Sequence, residues 1–161
     1  MNLQIRPVCT SDIEDVVQLS LLAWEPVFSS FEHLLGHRIY PLIWPDWKTS
    51  QRDAIETVCK EGEKTIVWVA EVDGRVVGFL AYELNLKDKV GEVQLLAVHP
   101  EYQNQGIGTQ LNDFALKKMK DSGMKMAKVE TGGDSSHAPA RRTYEKAGYT
   151  ALPLVRYFKD L

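Results

Sequence analysis

The sequence predicts an α/β domain of the α+β kind, a mixed central β-sheet flanked by about four helices. Three observations predict it. Thr65-Ile-Val-Trp-Val-Ala-Glu71 and the run from Arg75 to Leu84 are rich in β-branched and aromatic residues, and Asp73-Gly74 joins them as a hairpin turn. A polar bend, Asn85 to Lys89, returns the chain into a third apolar run, Val90 to Val98, so three strands in series run antiparallel. After that run, Gly106-Ile-Gly108 opens an amphipathic stretch, and a strand reached through a helical crossover lies parallel to the one before it.

Each element has its own signal. Leu3 to Arg6 alternates and stops at Pro7, a short strand. Ser11-Asp-Ile-Glu14 reads as a capping box, and Ile13, Val16, Val17, Leu21 and Trp24 mark the helical face behind it, with Pro26 ending the run. Residues 24–48 hold Trp24, Phe28, Phe31, Tyr40, Trp44 and Trp47, punctuated by Gly36, Pro41 and Pro45. They read either as an irregular helical wall over a substrate pocket or as packing between two helices. Ser50 to Glu61 is a short helix capped by its serine and closed by Gly62. Ile107, Leu111, Phe114 and Ala115 give the central helix its face, and Gly123 sits at its C-terminal end. Lys125 to Thr131 is the next strand. A loop of Gly132 to His137 leads to a helix from Ala138 that carries Ala140, Tyr144 and Ala147 on one side and ends at Gly148. Tyr149 to Lys159 reads as a further strand interrupted at Pro153.

Composition narrows the function. A chain of 161 residues, 44% hydrophobic and 25% charged, fits one domain spanning residues 1–161 with a real core. A net charge of −3 and the lack of a Lys/Arg run argue against a nucleic-acid partner. Cys9 and Cys59 lack metal or redox spacing and read as free thiols of a reducing cytoplasm. The N-terminus has no apolar signal core, and no window reaches membrane-spanning length, so no membrane partner is expected. His33 and His37 stand four apart without a third ligand and read as surface residues; no metal site is expected.

The glycine turn carries the chemistry. The first N–H groups of a helix lack internal partners and bear partial positive charge, so the mouth at Gly106 and Gly108 suits an anion such as phosphate. A nucleotide P-loop needs Gly-Lys-Ser/Thr, but Thr109-Gln110 follows Gly108; a dinucleotide fingerprint needs a third glycine where Leu111 stands. What remains, Gln103-x-x-Gly106-x-Gly108 after a strand ending Leu96-Ala97-Val98-His99-Pro100, resembles the pyrophosphate-binding motif of the GNAT superfamily, the acetyl-CoA-dependent N-acetyltransferases. Tyr144-Glu-Lys-Ala-Gly148-Tyr149 is similar to the signature that closes many GNAT domains, so the resemblance covers roughly residues 65–150.

That resemblance implies a GNAT fold, its sheet splayed between the fourth strand (Val90–Val98) and the fifth (Lys125–Thr131), with acetyl-CoA as cosubstrate in the split. It implies a cofactor site at Leu96, Ala97, Val98, Gln103, Asn104, Gln105, Gly106, Ile107, Gly108 and Thr109, joined by His137, Ala140 and Tyr144. An alkylamine, with a pKa of roughly 10, must lose a proton before it can attack a thioester. Alternation places Glu92, Gln94, Leu96 and Val98 on one strand face, and Glu92 lies about 20 Å before Val98, roughly the reach of a pantetheine arm. Glu92 also stands fourteen residues before Gly106, the separation of the catalytic glutamate in family members that have one. Glu92 is therefore the candidate general base and a candidate substrate contact; the alternative is a solvated glutamate near a strand start.

The resemblance implies Tyr144 as general acid toward the CoA thiolate. With reference pKa values of roughly 8.5 and 10 for thiol and phenol, that transfer is uphill by about 2 kcal/mol. A backbone N–H near Leu96 is the expected oxyanion donor. His137 stands where many members have an asparagine against the pantetheine arm, and Gln103 where many have arginine. Trp24 and Phe28 are candidate substrate contacts. Acetyl transfer to a primary amine of a small molecule or protein is the expected activity; the competing class is a non-catalytic acyl-CoA-binding or sensing domain. A homodimer is compatible with the resemblance.

Overall fold

The computed structural model describes residues 1–60 and 64–161. A five-stranded sheet runs in the order β1 (Leu3–Pro7), β2 (Thr65–Val72), β3 (Arg75–Asn85), β4 (Val90–Val98), β5 (Met126–Val129). The first three pairings are antiparallel, and β4 and β5 are parallel, as the crossover requires. The β2–β3 turn has Asp73 and Gly74 at φ 50° and 81°, the two positive values that a two-residue hairpin needs. The helices are α1 (Ile13–Ile43), α2 (Trp47–Lys60), α3 (Ile107–Asp121) and α4 (Ala138–Lys146).

Two apolar layers sandwich the sheet. On one face Leu80, Tyr82 and Val93 pack with Ile107, Leu111, Ala115 and Met119 of α3. On the other, Val67, Val69, Phe79, Ala81 and Ala97 meet Val16, Val17 and Leu19 of α1 and Ile55 of α2. Burying a large aliphatic side chain contributes about 1.5–3 kcal/mol, so these positions hold both helices to the sheet. No helix among the described residues is long and apolar enough to cross a membrane.

Five expectations need correction. Helix α1 does not end at Pro26: the proline sits on the exposed side, and the helix runs to Ile43 with a break in its path at Gly36, φ 74°. A missing N–H on a solvated face costs little because water satisfies the freed carbonyl. The capping interaction near the start of α1 is made by Asp12, whose carboxylate accepts from the Cys9 N–H at 2.8 Å; Glu14 instead accepts from Arg52 and Gln18. Helix α2 begins at Trp47, where Asp46 accepts from the Thr49 N–H and hydroxyl, so Ser50 is not its cap. Its expected end at Glu61 and Gly62 lies outside the described residues.

The fourth correction concerns Tyr149 to Lys159, which among the described residues forms no strand and leaves Leu152, Leu154, Val155 and Tyr157 exposed. The fifth lies in β4. Ala81 pairs with Leu95 but Tyr82 with Val93, so Gln94 is an unmatched residue, a β-bulge. The bulge shifts the alternation by one. Glu92, opposite Glu83, shares the α1/α2 face with Leu95 and Ala97, while Leu96 and Val98 pack toward α3. The four residues expected to line one face therefore do not.

Candidate active site

Pairing between β4 and β5 stops at Val93 and Val129, so beyond Val93 the β5 side of β4 is open. Glu92 is one residue short of that fork. Its register partner is Lys128, whose ammonium lies 3.3 Å from Glu92 Oε1 and 3.2 Å from Glu130. Hydrogen bonds to Glu130 and Glu92 raise the Lys128 pKa and keep it charged. A half-exposed carboxylate at the end of a split in the sheet, on the α1/α2 face, is placed to meet an incoming cation.

At the far end of β4 the chain turns through Pro100–Tyr102 into α3. Gln103 folds its amide back to the Val98 carbonyl at 3.0 Å, and Gln105 does the same to Glu101 at 3.2 Å. Asn104 and Gly106 take positive φ, 60° and 82°, which turns successive amides toward one side. Among the described residues no side chain caps the mouth of α3, and no acidic residue lies in its first turn. Ile107, fully buried, anchors the turn against the core. Among the described residues a Cβ built at Gly108 would meet only Val98, at an ordinary 3.7 Å, which leaves room there. Uncapped amides, positive partial charge and open space fit a phosphate. Leu96, Ala97, Val98, Asn104 and Thr109 all lie along this strand, turn and first helical turn.

Helix α4 follows β5 through the loop and 3₁₀ turn that end at His137. Tyr144 is buried, edge-on to Tyr149 at 5.6 Å, and burial with some help from Tyr149 pushes its pKa up to about 12. Seven residues earlier, nearly two helical turns, stands His137, with Ala140 between them. The His137 ring donates from Nδ1 to Asp134 Oδ1 at 2.5 Å; on the other carboxylate oxygen Asp134 accepts from Ser30 at 2.7 Å and from the Ser136 hydroxyl. Burial works to raise the Asp134 pKa, and the bonds from Ser136, Ser30 and His137 outweigh it and hold the carboxyl below its ordinary range. Asp134, Ser30 and Arg141 were missed from sequence. The available signal was Asp134-x-x-His137, a spacing that puts both side chains on one side of a 3₁₀ turn.

The aromatic segment resolves into packing between α1 and α2. Phe28, 8% exposed, stacks on Trp47 at 4.4 Å and meets Phe31 and Trp44 edge-on. Trp24 packs against the α1/α2-side core. Phe31 links this cluster to the fork, with its ring 5.7 Å from that of His137. His33 and His37 are exposed, and the helix path breaks between them at Gly36.

A mixed sheet forked beside an uncapped helix mouth is the architecture of the GNAT acetyltransferases. The chain belongs to that family, whose sequence profile, described as acetyltransferase (GNAT) family, matches residues 36–149. Among curated proteins it is similar to an uncharacterized N-acetyltransferase of Archaeoglobus fulgidus, 38% identical over 87 residues, covering 51% of this chain and 58% of that protein. It is 34% identical over 101 residues to an N-alpha-acetyltransferase of Sulfurisphaera tokodaii, covering 56% of this chain and 60% of that protein. A mycothiol acetyltransferase of Thermomonospora curvata is 34% identical over 84 residues, 52% of this chain but 27% of that protein. The matched stretch thus spans at most about three fifths of these relatives. Among solved structures, the fold resembles the PaiA N-acetyltransferase of Thermoplasma acidophilum in complex with coenzyme A (TM-score 0.71, 20% identity, 93% of this chain and 91% of that one). It also resembles AAC(6')-Iy in complex with a bisubstrate analog (TM-score 0.68, 15% identity, 100% and 99%).

Proposed function

We propose that the chain, acting as one domain over residues 1–161, transfers an acetyl group from acetyl-CoA to a primary amine of a small molecule or protein. The uncapped mouth of α3, with room left at Gly108, is the observation that carries this reading. The diphosphate rests on amides of residues 103–109, and the thioester arm runs beside β4 toward the fork, past Leu96, Ala97 and Val98. The open edge of β4 beyond Val93 supplies a backbone N–H for the oxyanion. The names of relatives agree in chemistry: acetyltransferases of N-alpha groups and of mycothiol.

Glu92 acts as general base, directly or through water. An amine approaching along the α1/α2 face takes the place of Lys128 beside the carboxylate, which then accepts its proton. Tyr144 faces the departing sulfur as a hydrogen-bond donor. With its pKa pushed up to about 12, full proton transfer to a thiolate of pKa roughly 8.5 is uphill by about 5 kcal/mol. Its contribution is therefore polarity at the sulfur more than delivery of the proton. A second reading, an acyl-CoA sensor, draws on the Glu92–Lys128 pair, which satisfies the carboxylate without an amine.

Thiol release from acetyl-CoA over a panel of amines separates the two. The transferase releases thiol with at least one amine, and its rate rises with pH as a proton acceptor and the free amine become available. In Glu92→Gln, kcat falls about 100-fold or more and the alkaline rise flattens. Wild-type pH dependence in that variant would remove Glu92 from the mechanism, and no thiol release with any amine would favour the sensor.

A further inference from the structure

We propose that Asp134 and His137 form a proton-relay dyad: His137 Nε2 takes the proton from the nitrogen after attack and hands it to the departing sulfur, with Asp134 as its positioning residue. This rests on the acetyl-transfer reading above and assigns the step that neither Glu92 nor Tyr144 performs. Glu92 frees the amine before attack. Tyr144, raised by burial, is a poor proton donor to a thiolate. The proton that ends on sulfur needs another carrier.

The geometry selects the ring's working nitrogen. An ionised carboxylate only accepts hydrogen bonds, so the 2.5 Å contact makes Nδ1 the protonated nitrogen and leaves the lone pair on Nε2. The ring is fixed from several sides. Ser30 of α1 donates to Asp134 at 2.7 Å, and the Phe31 ring lies 5.7 Å from the imidazole at 28°. Arg141 of α4 donates to the carbonyls of Gly132 at 2.6 Å and Asp134 at 2.7 Å, closing the turn from below. A Cβ at Gly132 would collide with both the His137 ring and the Asp134 carboxylate, so glycine there is a condition of the arrangement. The side chains of His137 and Asp134 are 16% and 10% exposed, enclosed but reachable.

Position fits the role. The turn begins at Ser135, six residues past Val129, where the pairing of β5 with β4 ends, and the Phe31 contact puts it on the α1 side, the side of Glu92. His137 stands at the N-terminal cap of α4, seven residues before Tyr144. When the nitrogen adds to the thioester carbonyl, a C–N bond forms, the nitrogen becomes positive and the oxygen negative. One N–H proton passes to Nε2, making an imidazolium balanced by Asp134, which stays ionised. The carbonyl re-forms, the C–S bond breaks with its electron pair on sulfur, and the imidazolium protonates the thiolate. Amide and free thiol leave, and His137 is neutral again.

The test is steady-state kinetics on the full chain with acetyl-CoA and an amine from the panel, together with coenzyme A titration calorimetry. His137→Asn keeps a polar side chain without a relay; kcat falls about 100-fold while the acetyl-CoA KM and the coenzyme A affinity stay within about threefold. Asp134→Asn lowers kcat about 10-fold or more with the same KM pattern. In His137→Ala, added imidazole restores part of kcat, which no change in folding alone would produce. A kcat within about twofold of wild type in His137→Asn, or a loss confined to KM, overturns the relay and leaves the transferase reading standing. A wild-type chain that acetylates no amine overturns both.

Discussion

Arg6 shows how much a single side chain organises at the start of the chain. Its guanidinium donates to both oxygens of Asp12, at 2.7 and 3.0 Å, and to Glu71 of β2 at 2.7 and 2.9 Å. Asp12 is almost fully enclosed, so its loss leaves Arg6 half-satisfied and the Cys9 N–H without an acceptor. Asp12→Ala should destabilise the fold by about 2 kcal/mol and lower the melting temperature by about 4–8 °C. The Arg6 bond, with help from Cys9 and against burial, holds the Asp12 carboxyl below its ordinary value. A depressed folded-state pKa contributes stability above the ordinary carboxylate range and loses it as pH falls from about 4 toward the folded value. Denaturant melts at pH 7 and pH 3 should therefore differ less for Asp12→Ala than for wild type. Equal pH sensitivity would assign the acid loss to other carboxylates. The sequence pointed to Ser11 and Glu14 here because that spacing suits an isolated helix start. Arg6, brought in by β1, is a tertiary partner that local spacing does not reveal.

Among elements, α3 was the most legible and β4 the least. The face of α3 repeats at helical spacing, and Gly106 and Gly108 mark its mouth without needing any neighbour to explain them. In β4 both faces are apolar beyond the bulge, so a run such as Leu95-Leu96-Ala97-Val98 carries no alternation from which a one-residue shift could be read. The α3 mouth also permits a clean test. Gly108→Asp adds a Cβ into space where only Val98 stands, at 3.7 Å, and puts a carboxylate where the macrodipole favours one, worth up to about 1 kcal/mol. The melting temperature should hold or rise by a few degrees, while coenzyme A affinity drops about 10-fold or more through repulsion of phosphate. Retained affinity measured by calorimetry would move the diphosphate elsewhere.

At the scale of the molecule, the order of strands and helices followed from periodicity and turn residues, and the parallel β4–β5 pair from the crossover. The dyad at Asp134 and the aromatic link from Phe31 did not, because they join α1 to a turn more than a hundred residues later. Tyr149 to Lys159 failed for the opposite reason. Its strand-like composition is real, but among the described residues no edge pairs with it. A ligand laid across the fork would touch both the β4–α3 half and the β5–α4 half and should brace the whole fold. Coenzyme A at a hundredfold over its dissociation constant adds about 2.7 kcal/mol, which raises the melting temperature by about 5–10 °C. A scan unmoved by millimolar coenzyme A would mean the cofactor does not bind the folded chain.

Gln94 works as a frame shift written in three dimensions. Were Gln94 drawn into the regular alternation, the chain upstream would turn by half a period: Gly91 and Val93 would look toward the α1/α2 face, and the carboxylate of Glu92 would be driven into the apolar layer beneath α3. Which side of the sheet Glu92 faces thus depends on the bulge as much as on the identity of any residue along the strand.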